Sequence, residues 1–215
     1  PFILEDIINN NKTKKIKAVI IVHLNGHVVE MDKIKKIAIK FDLKIIEDAC
    51  HALGGAYQKN EHSYMVGSCK YSDLSTFSFH PVKAIAMGEG GVITTNNKKF
   101  DFKMKQIRNH GIIKDPKKFV NKKFAYTKKE VNSWYYEMHE IGFNFRVSEI
   151  NCALGNSQLN KLKLFINKRK KLASYYKKKL MPLKNFLEPI EEPTSSSSAW
   201  HLFVVLLDFQ KIHLN

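Results

Sequence analysis

The sequence has little cysteine and no long hydrophobic run. Its 3 cysteines are an odd number and lie far apart, so a disulfide framework is not expected and a reducing, cytoplasmic location is. The longest apolar stretches, 18–22 and 202–207, are far shorter than the ~20 residues of a membrane-spanning helix, so we expect no membrane span. The residues that follow Pro1 do not have the pattern of a signal peptide. Because the sequence begins with proline and not with methionine, we expect it to be a fragment of a longer protein.

Arginine is also scarce, although the formal net charge is +16. Only 3 of the 36 basic residues are arginine, the side chain that most often reads bases and binds phosphate in a bidentate manner. We therefore interpret the lysine excess as a solvated surface or a coding bias and expect no nucleic-acid partner. Hydrophobic residues make up 44% and aromatic residues 11% of the chain, which excludes a chain that is disordered throughout.

The first part of the chain has the pattern of a βαβ unit. Residues 17–23 form a short β-branched run typical of a buried parallel strand, and residues 43–47 form a second one. Between them, residues 31–41 place their apolar side chains on one helical face. A strand, an amphipathic helix and a strand predict the parallel sheet of an α/β fold.

The rest of the chain gives weaker local signals. They predict strands over 74–79, 92–95 and 200–208, helices over 98–108 and from 149 to about 180 with a break, and a long irregular loop over 112–136.

Two charged residues stand where predicted strands of this sheet end. Asp48 follows the second strand, and Lys83 follows the strand predicted over 74–79. Ligands of open α/β sheets bind at that edge, where a carboxylate can hold a proton on a heterocycle nitrogen and a desolvated lysine can attack a carbonyl. The ordinary interpretations are a helix cap for Asp48 and a surface lysine for Lys83, and both stay open at this point.

Ser78 and His51 are weaker candidates at the same edge. The Ser78 hydroxyl can bind a phosphate oxygen, and the His51 ring can stack on a ligand, although both residue types more often have structural roles. The sequence favours no metal site, since Cys50, His51, His62 and Cys69, the residues that could suggest zinc, form neither a Cys-x-x-Cys nor a His-x-x-x-His pair. The turn over 88–91 lacks the spacing of a nucleotide P-loop.

Taken together, these residues resemble the DegT/DnrJ/EryC1/StrS family of sugar-nucleotide aminotransferases. Six segments match the family in order: Val22-His23-Leu24-Asn25-Gly26-His27, Ile46-Glu47-Asp48-Ala49-Cys50-His51-Ala52, Phe77-Ser78-Phe79-His80-Pro81-Val82-Lys83, Gly88-Glu89-Gly90-Gly91, Arg108-Asn109-His110-Gly111 and Gly142-Phe143-Asn144-Phe145-Arg146. The resemblance covers nearly the whole chain, and the order of the motifs makes it specific.

The resemblance implies a cofactor, pyridoxal 5'-phosphate, and a role for each matching residue. Lys83 would be the catalytic lysine that binds the cofactor as an imine, Asp48 would pair with its ring nitrogen, and Ser78 would bind its phosphate. His51 would lie beside the ring. Asn144 would reach the phosphate in the neighbouring subunit of a homodimer with shared active sites. Arg146 is a weaker candidate at the same shared site, where it would contact the substrate.

The resemblance also implies the fold and the reaction. The fold would be α/β and aspartate-aminotransferase-like (fold type I of the pyridoxal-phosphate enzymes), with a partial large domain over 1–160 and the start of a small α+β domain over 161–215. The reaction would be amination of a nucleotide-linked 4-keto-6-deoxy sugar, with L-glutamate as the amino-acid donor. The alternative is a truncated, inactive relative that binds a partner. A dehydratase of the same family would have histidine in place of Lys83.

Overall fold

The structure is a computed structural model that describes residues 1–11, 15–59 and 61–212. It divides into two compact units, one formed by residues 1–96 and 149–215 and the other by residues 97–148. The boundary near residue 160 between a large and a small domain stays a prediction.

A strand, a helix and a strand follow one another over residues 18–48, as the sequence predicts. The helices described are α1 Phe2–Asn10, α2 Met31–Lys40, α3 Lys98–Arg108, α4 Lys122–Ala125, α5 Glu149–Leu159 and α6 Leu162–Leu180. The strands described are β1 Ala18–Val22, β2 Lys44–Asp48, β3 Ala56–Lys59, β4 His62–Met65, β5 Leu74–Ser78, β6 Gly91–Thr94, β7 Ile112–Ile113, β8 Tyr126–Thr127, β9 Glu130–Val131, β10 Glu137–Met138, β11 Leu187–Pro189, β12 Ser196–Ser197 and β13 Val205–Leu207. No helix among the described residues has the length and apolar character needed to cross a lipid bilayer.

The central sheet of the first unit has the strand order β1-β2-β5-β6. Strand β2 is parallel to both β1 and β5, which confirms the predicted βαβ unit, while β6 runs antiparallel to β5. Helix α2 contacts β2 and buries Met31, Ile34 and Ile37. Helix α2 thus covers one face of the sheet, where Ile45 is fully buried. Because side chains alternate along a strand, every second residue of β2 points to the opposite face.

Two smaller sheets complete the first unit. Strands β3 and β4 form an antiparallel hairpin to which β12 adds, and β11 pairs antiparallel with β13. The pairing of β12 with β3 ties the chain near residue 196 to the segment that follows β2. The second unit contains α3, α4 and two short antiparallel pairs, β7 with β10 and β8 with β9.

Two predicted elements differ from the structure. The segment 112–136 is not a wholly irregular loop, since it holds the short helix α4, the strand β7 and the whole β8–β9 pair. The strand predicted over 200–208 is reduced to Val205–Leu207. The residues before it leave the extended conformation because Trp200 has a φ of 50° and the backbone of Leu202 donates to the Asn25 carbonyl.

Candidate active site at the carboxyl edge of the central sheet

The parallel strands place Asp48 and Ser78 on the same face of the sheet. Asp48 ends β2 and is paired in register with Thr76 of β5, and Ser78 lies two residues beyond Thr76. Paired residues of parallel strands, and residues two apart on one strand, point to the same side. This is the face opposite α2, and it is open in the described residues, with Ile20 and Val22 of β1 exposed.

Asp48 is half-buried and held by the turn that follows it. Its Oδ1 accepts a hydrogen bond of 3.1 Å from the backbone N–H of Cys50, so the chain turns here and no helix starts. Burial alone would raise the pKa of Asp48, but the hydrogen bonds from Cys50 and the charges of His51 and Lys83 lower it. The helix-cap interpretation is therefore wrong, and the carboxylate is kept ionised.

Lys83 lies in the loop that connects β5 to β6. The loop is closed on itself, with the backbone N–H of Met87 donating to the Phe79 carbonyl and that of Phe79 donating to the Gly90 carbonyl. Lys83 is half-buried rather than fully exposed. Its charge contributes to lowering the pKa values of both Asp48 and His51.

Ser78 is the last residue of β5 and marks the start of this loop. Its Oγ accepts a hydrogen bond of 3.4 Å from the backbone N–H of His80. The hydroxyl therefore stays on the same strand edge as Asp48, five residues before Lys83.

His51 stacks on a histidine that the sequence did not single out. The rings of His51 and His201 have centroids 4.4 Å apart and an angle of 27° between their planes. Burial and the nearby Lys83 charge lower the pKa of His51, against the opposing effect of Asp48. Burial also lowers the pKa of His201 to about 4, and the charges of His51, Lys83 and Arg169 act in the same direction.

Glu47, the neighbour of Asp48, points to the buried face and anchors this end of β2. It is completely buried and accepts hydrogen bonds from the hydroxyls of Tyr57, Ser72 and Ser75 as well as from the imidazole of His23. Burial alone would raise the pKa of Glu47, but hydrogen bonds from His23, Ser72 and Tyr57 lower it below its ordinary value. The sheet edge thus carries one ionised carboxylate on each face.

Asn144 and Arg146 belong to the other compact unit, residues 97–148. Both are exposed there. Asn144 forms an isolated β-bridge with Asn109, and Nη1 of Arg146 donates to Oδ1 of Asn109 over 2.7 Å. Their predicted roles stay predictions.

Sequence reasoning missed Glu47 and His201 as residues of this region. The alternation of β2 could have indicated that Glu47 shares the buried face with Ile45. No local signal indicates His201, because its segment has the apolar pattern of a strand and its contact is made with a distant turn.

The chain is similar to proteins of one known family. A family model described as the DegT/DnrJ/EryC1/StrS aminotransferase family matches residues 3–215. The chain is 38% identical over 192 residues to a UDP-4-amino-4,6-dideoxy-N-acetyl-beta-L-altrosamine transaminase of Campylobacter jejuni, covering 89% of this chain and 45% of that protein. A Helicobacter pylori protein of the same name is 33% identical over 204 residues, covering 95% of this chain and 47% of that one.

The fold is also similar to that of a solved structure. It is the Helicobacter pylori aminotransferase PseC, involved in the biosynthesis of pseudoaminic acid, and it matches with a TM-score of 0.80 and 29% identity. The match covers 97% of this chain and 50% of that one. The chain therefore spans about half the length of the relatives it matches, and the predicted α/β aminotransferase fold with a partial large domain is confirmed.

Proposed function

Since the chain belongs to the DegT/DnrJ/EryC1/StrS aminotransferase family, we propose that it forms part of a pyridoxal-phosphate-dependent sugar-nucleotide aminotransferase. The observation that carries the proposal is the shared edge of the central sheet, where Asp48 ends β2, Ser78 ends the parallel neighbour β5, and Lys83 lies in the loop that follows Ser78. The inactive alternative has no specific observation in its favour.

The side chains at this edge fit the cofactor by their chemistry. Asp48 is kept ionised, as a partner of a protonated ring nitrogen must be, and its charge-assisted hydrogen bond would hold that proton in place. The Ser78 hydroxyl and the half-buried amine of Lys83 suit a phosphate oxygen and an aldehyde carbon, respectively. His51 adds a flat ring beside them.

Lys83 has two tasks in this proposal. Its Nζ would first hold the cofactor covalently and would then, once released by the amino donor, carry a proton onto and off the substrate carbon that bears nitrogen. Pyridoxal phosphate, when bound, supplies the electron sink that makes this proton removable. Asp48 would keep the ring nitrogen protonated throughout, which is why an ionised carboxylate is needed there.

The proposed substrate is a UDP-linked 4-keto-6-deoxy-N-acetylhexosamine, with L-glutamate as donor, on a pathway to pseudaminic acid or another surface polysaccharide sugar. Its support is the similarity to the Campylobacter and Helicobacter transaminases. Mass spectrometry of a reaction containing that keto-sugar and L-glutamate should detect the 4-amino sugar together with 2-oxoglutarate. Formation of neither product, with the cofactor bound, would refute this substrate.

Substitution of Lys83 tests the catalytic assignment directly. Both Lys83→Ala and Lys83→Arg should abolish amino transfer and covalent retention of the cofactor after borohydride reduction, while circular dichroism stays unchanged. The matched control is Lys36→Ala, which removes an exposed lysine from α2. Peptide mapping that finds the reduced cofactor on another lysine, or full turnover by Lys83→Ala, would remove Lys83 from the mechanism.

We also propose that the protein is a homodimer with shared active sites. The support is the resemblance at Asn144 together with exposed apolar side chains in the same unit, including Trp134, Ile141, Phe143 and Phe145. Apolar side chains exposed in this number often mark an interaction surface. Arg146, also exposed, is the proposed substrate contact at that shared site.

Subunit complementation tests the shared site. Lys83→Ala and Asn144→Ala proteins should each be impaired, but mixing them under conditions that exchange subunits should restore part of the activity. One of the two sites in a mixed dimer then receives both native residues. A mixture no more active than its components, with exchange demonstrated, would contradict the proposal.

A cytoplasmic location is proposed on the state of the cysteines. Cys50, Cys69 and Cys152 are all free thiols. Thiol labelling of the protein in intact and lysed cells should find all of them reduced and reachable only after lysis, as expected for a reducing compartment.

A further inference from the structure

A segment near the end of the chain is bound to the turn that follows β1. The Ser198 hydroxyl donates to the Gly26 carbonyl over 2.7 Å, and the backbone N–H of Ala199 donates to the same oxygen over 3.0 Å. The backbone N–H of Leu202 donates to the Asn25 carbonyl over 3.1 Å. The residues between these anchors, Trp200 and His201, are therefore held against the turn.

Gly26 shows how closely the chain segments approach at this junction. A Cβ added there would lie 2.8 Å from the backbone nitrogen of His201 and 2.8 Å from the backbone oxygen of His51. Such separations are shorter than real side chains adopt, so only glycine lets the three segments meet. The backbone of His201 is thereby brought against that of His51.

Helix α6 secures the same segment from another direction. Nη1 of Arg169 donates to the Trp200 carbonyl over 3.2 Å and to the His201 carbonyl over 2.9 Å. Trp200 has a positive φ of 50°, a conformation that costs energy for a residue with a side chain and persists where its surroundings impose it. His201 is thus fixed in position before any ligand binds.

The stacked pair has a defined hydrogen-bonding state. The backbone N–H of Asn25 donates to Nδ1 of His51 over 3.3 Å, so Nδ1 offers a lone pair and the proton of the neutral ring is on Nε2. His201 is only 9% exposed, and its Nδ1 is buried without a hydrogen-bond partner among the described residues. The His201 ring therefore contacts His51 mainly through its flat surface.

The charges around the two rings favour their neutral forms. Lys83 opposes protonation of both rings and Arg169 opposes that of His201, while Asp48 favours protonation of His51. Burial is the largest influence on each ring, and it also opposes the charged form. At neutral pH both stacked rings are therefore uncharged.

We propose that His201 is a positioning residue of the candidate active site, which by stacking on His51 holds that imidazole in one orientation and one tautomer. This role rests on the proposed function only in that His51 is taken to face the cofactor ring. The stack itself is a property of the protein without ligand, so it can be tested separately.

The test compares His201→Ala, which removes the flat ring, with His201→Phe, which keeps it. Nitrogen-15 NMR of the protein without cofactor should show His51 as the single Nε2–H tautomer in the native protein and in His201→Phe. In His201→Ala we expect both tautomers of His51 and an upward movement of its titration midpoint, because water reaches the ring. His62→Ala is the control, since it removes an exposed histidine that stacks on Tyr64.

Two results would overturn the proposal: an unchanged His51 signal in His201→Ala, or loss of the single tautomer in His201→Phe as well. If His201→Ala fails to fold by circular dichroism, His201→Leu replaces it, as it keeps bulk but no planar ring.

Cofactor affinity gives a second readout. We expect binding to weaken by about three- to tenfold in His201→Ala, which is the effect of losing one aromatic pair. Failure of the native protein to bind cofactor would refute the proposed function, while the NMR result would still decide the role of His201.

Discussion

The imidazole of His23 and the carboxylate of Glu47 form a hydrogen bond of 2.7 Å between two side chains that solvent does not reach at all. The backbone N–H of Val29 donates to Nδ1 of the same ring over 3.2 Å, so the proton lies on Nε2 and is donated to the carboxylate. With the Tyr57, Ser72 and Ser75 hydroxyls, four side-chain donors surround one buried negative charge. This network fixes the end of β2, and through it the backbone of Asp48.

Replacement of Glu47 by glutamine should destabilise the protein by about 2 kcal/mol or more. The amide removes the charge and turns an NH₂ group toward hydroxyls that need an acceptor. Urea denaturation followed by circular dichroism measures the effect. Glu188→Gln changes an exposed glutamate in the same way and should leave the midpoint in place. An equal midpoint for Glu47→Gln and the native protein would contradict the role of this network.

Replacement of Asp48 by asparagine should weaken cofactor binding by about ten- to a hundredfold, the loss of a charge-assisted hydrogen bond. The fold should persist, because the amide oxygen can still accept from the Cys50 backbone. Titration with pyridoxal phosphate followed by absorbance measures the affinity. The control Asp42→Asn alters an exposed turn residue with a φ of 50°, which asparagine tolerates. Undiminished affinity in Asp48→Asn would refute the assigned role.

Replacement of Gly26 by alanine should destabilise the protein strongly, by about 2 kcal/mol or more. The added Cβ would collide with backbone atoms of His51 and His201, which cannot move independently of the junction, and φ is +90°. Gly88→Ala is the matched control, because φ is +80° there but the nearest atoms are side-chain atoms of Asn151 at 3.5 Å or more. It should cost only about 1–2 kcal/mol from the left-handed conformation. Equal losses in the two variants would show that the close approach at Gly26 is unimportant.

Stability should fall as the pH is lowered from about 6.5 to about 4, partly through His201. The folded protein lowers the pKa of this histidine to about 4, so within that window the unfolded chain binds more protons and acid favours unfolding. One such group contributes a slope of up to about 1.4 kcal/mol per pH unit. Glu47, whose pKa is also lowered, adds stability that is lost at still lower pH.

The contribution of His201 is isolated by comparison with His201→Phe. Urea denaturation at several pH values between 4.5 and 7.5 should give a shallower pH dependence for the variant than for the native protein. Parallel curves would mean that His201 titrates normally in the folded state and that burial does not suppress its charge.

Local sequence patterns were sufficient to predict the strands that carry Asp48 and Ser78. The β-branched runs of β1 and β2 and the apolar face of α2 predict the parallel unit, because burial on one face imposes a period on nearby residues. The ends of these strands predict the edge where a ligand site lies. The family resemblance added the roles proposed for Lys83 and Asn144, which no local pattern implies.

The sequence by itself determined the strands β1, β2, β5 and β6, the longer helices from α2 onward and the residue types placed at the sheet edge. Only the tertiary structure decided that β6 runs antiparallel, that the segment at 200–204 is not a strand, and that His201 lies on His51. The physical reason is that periodicity reports whether a side chain is buried but carries no information about its partner. Partners such as Gly26 and Ser198 are chosen by packing and hydrogen bonding between segments far apart in the chain.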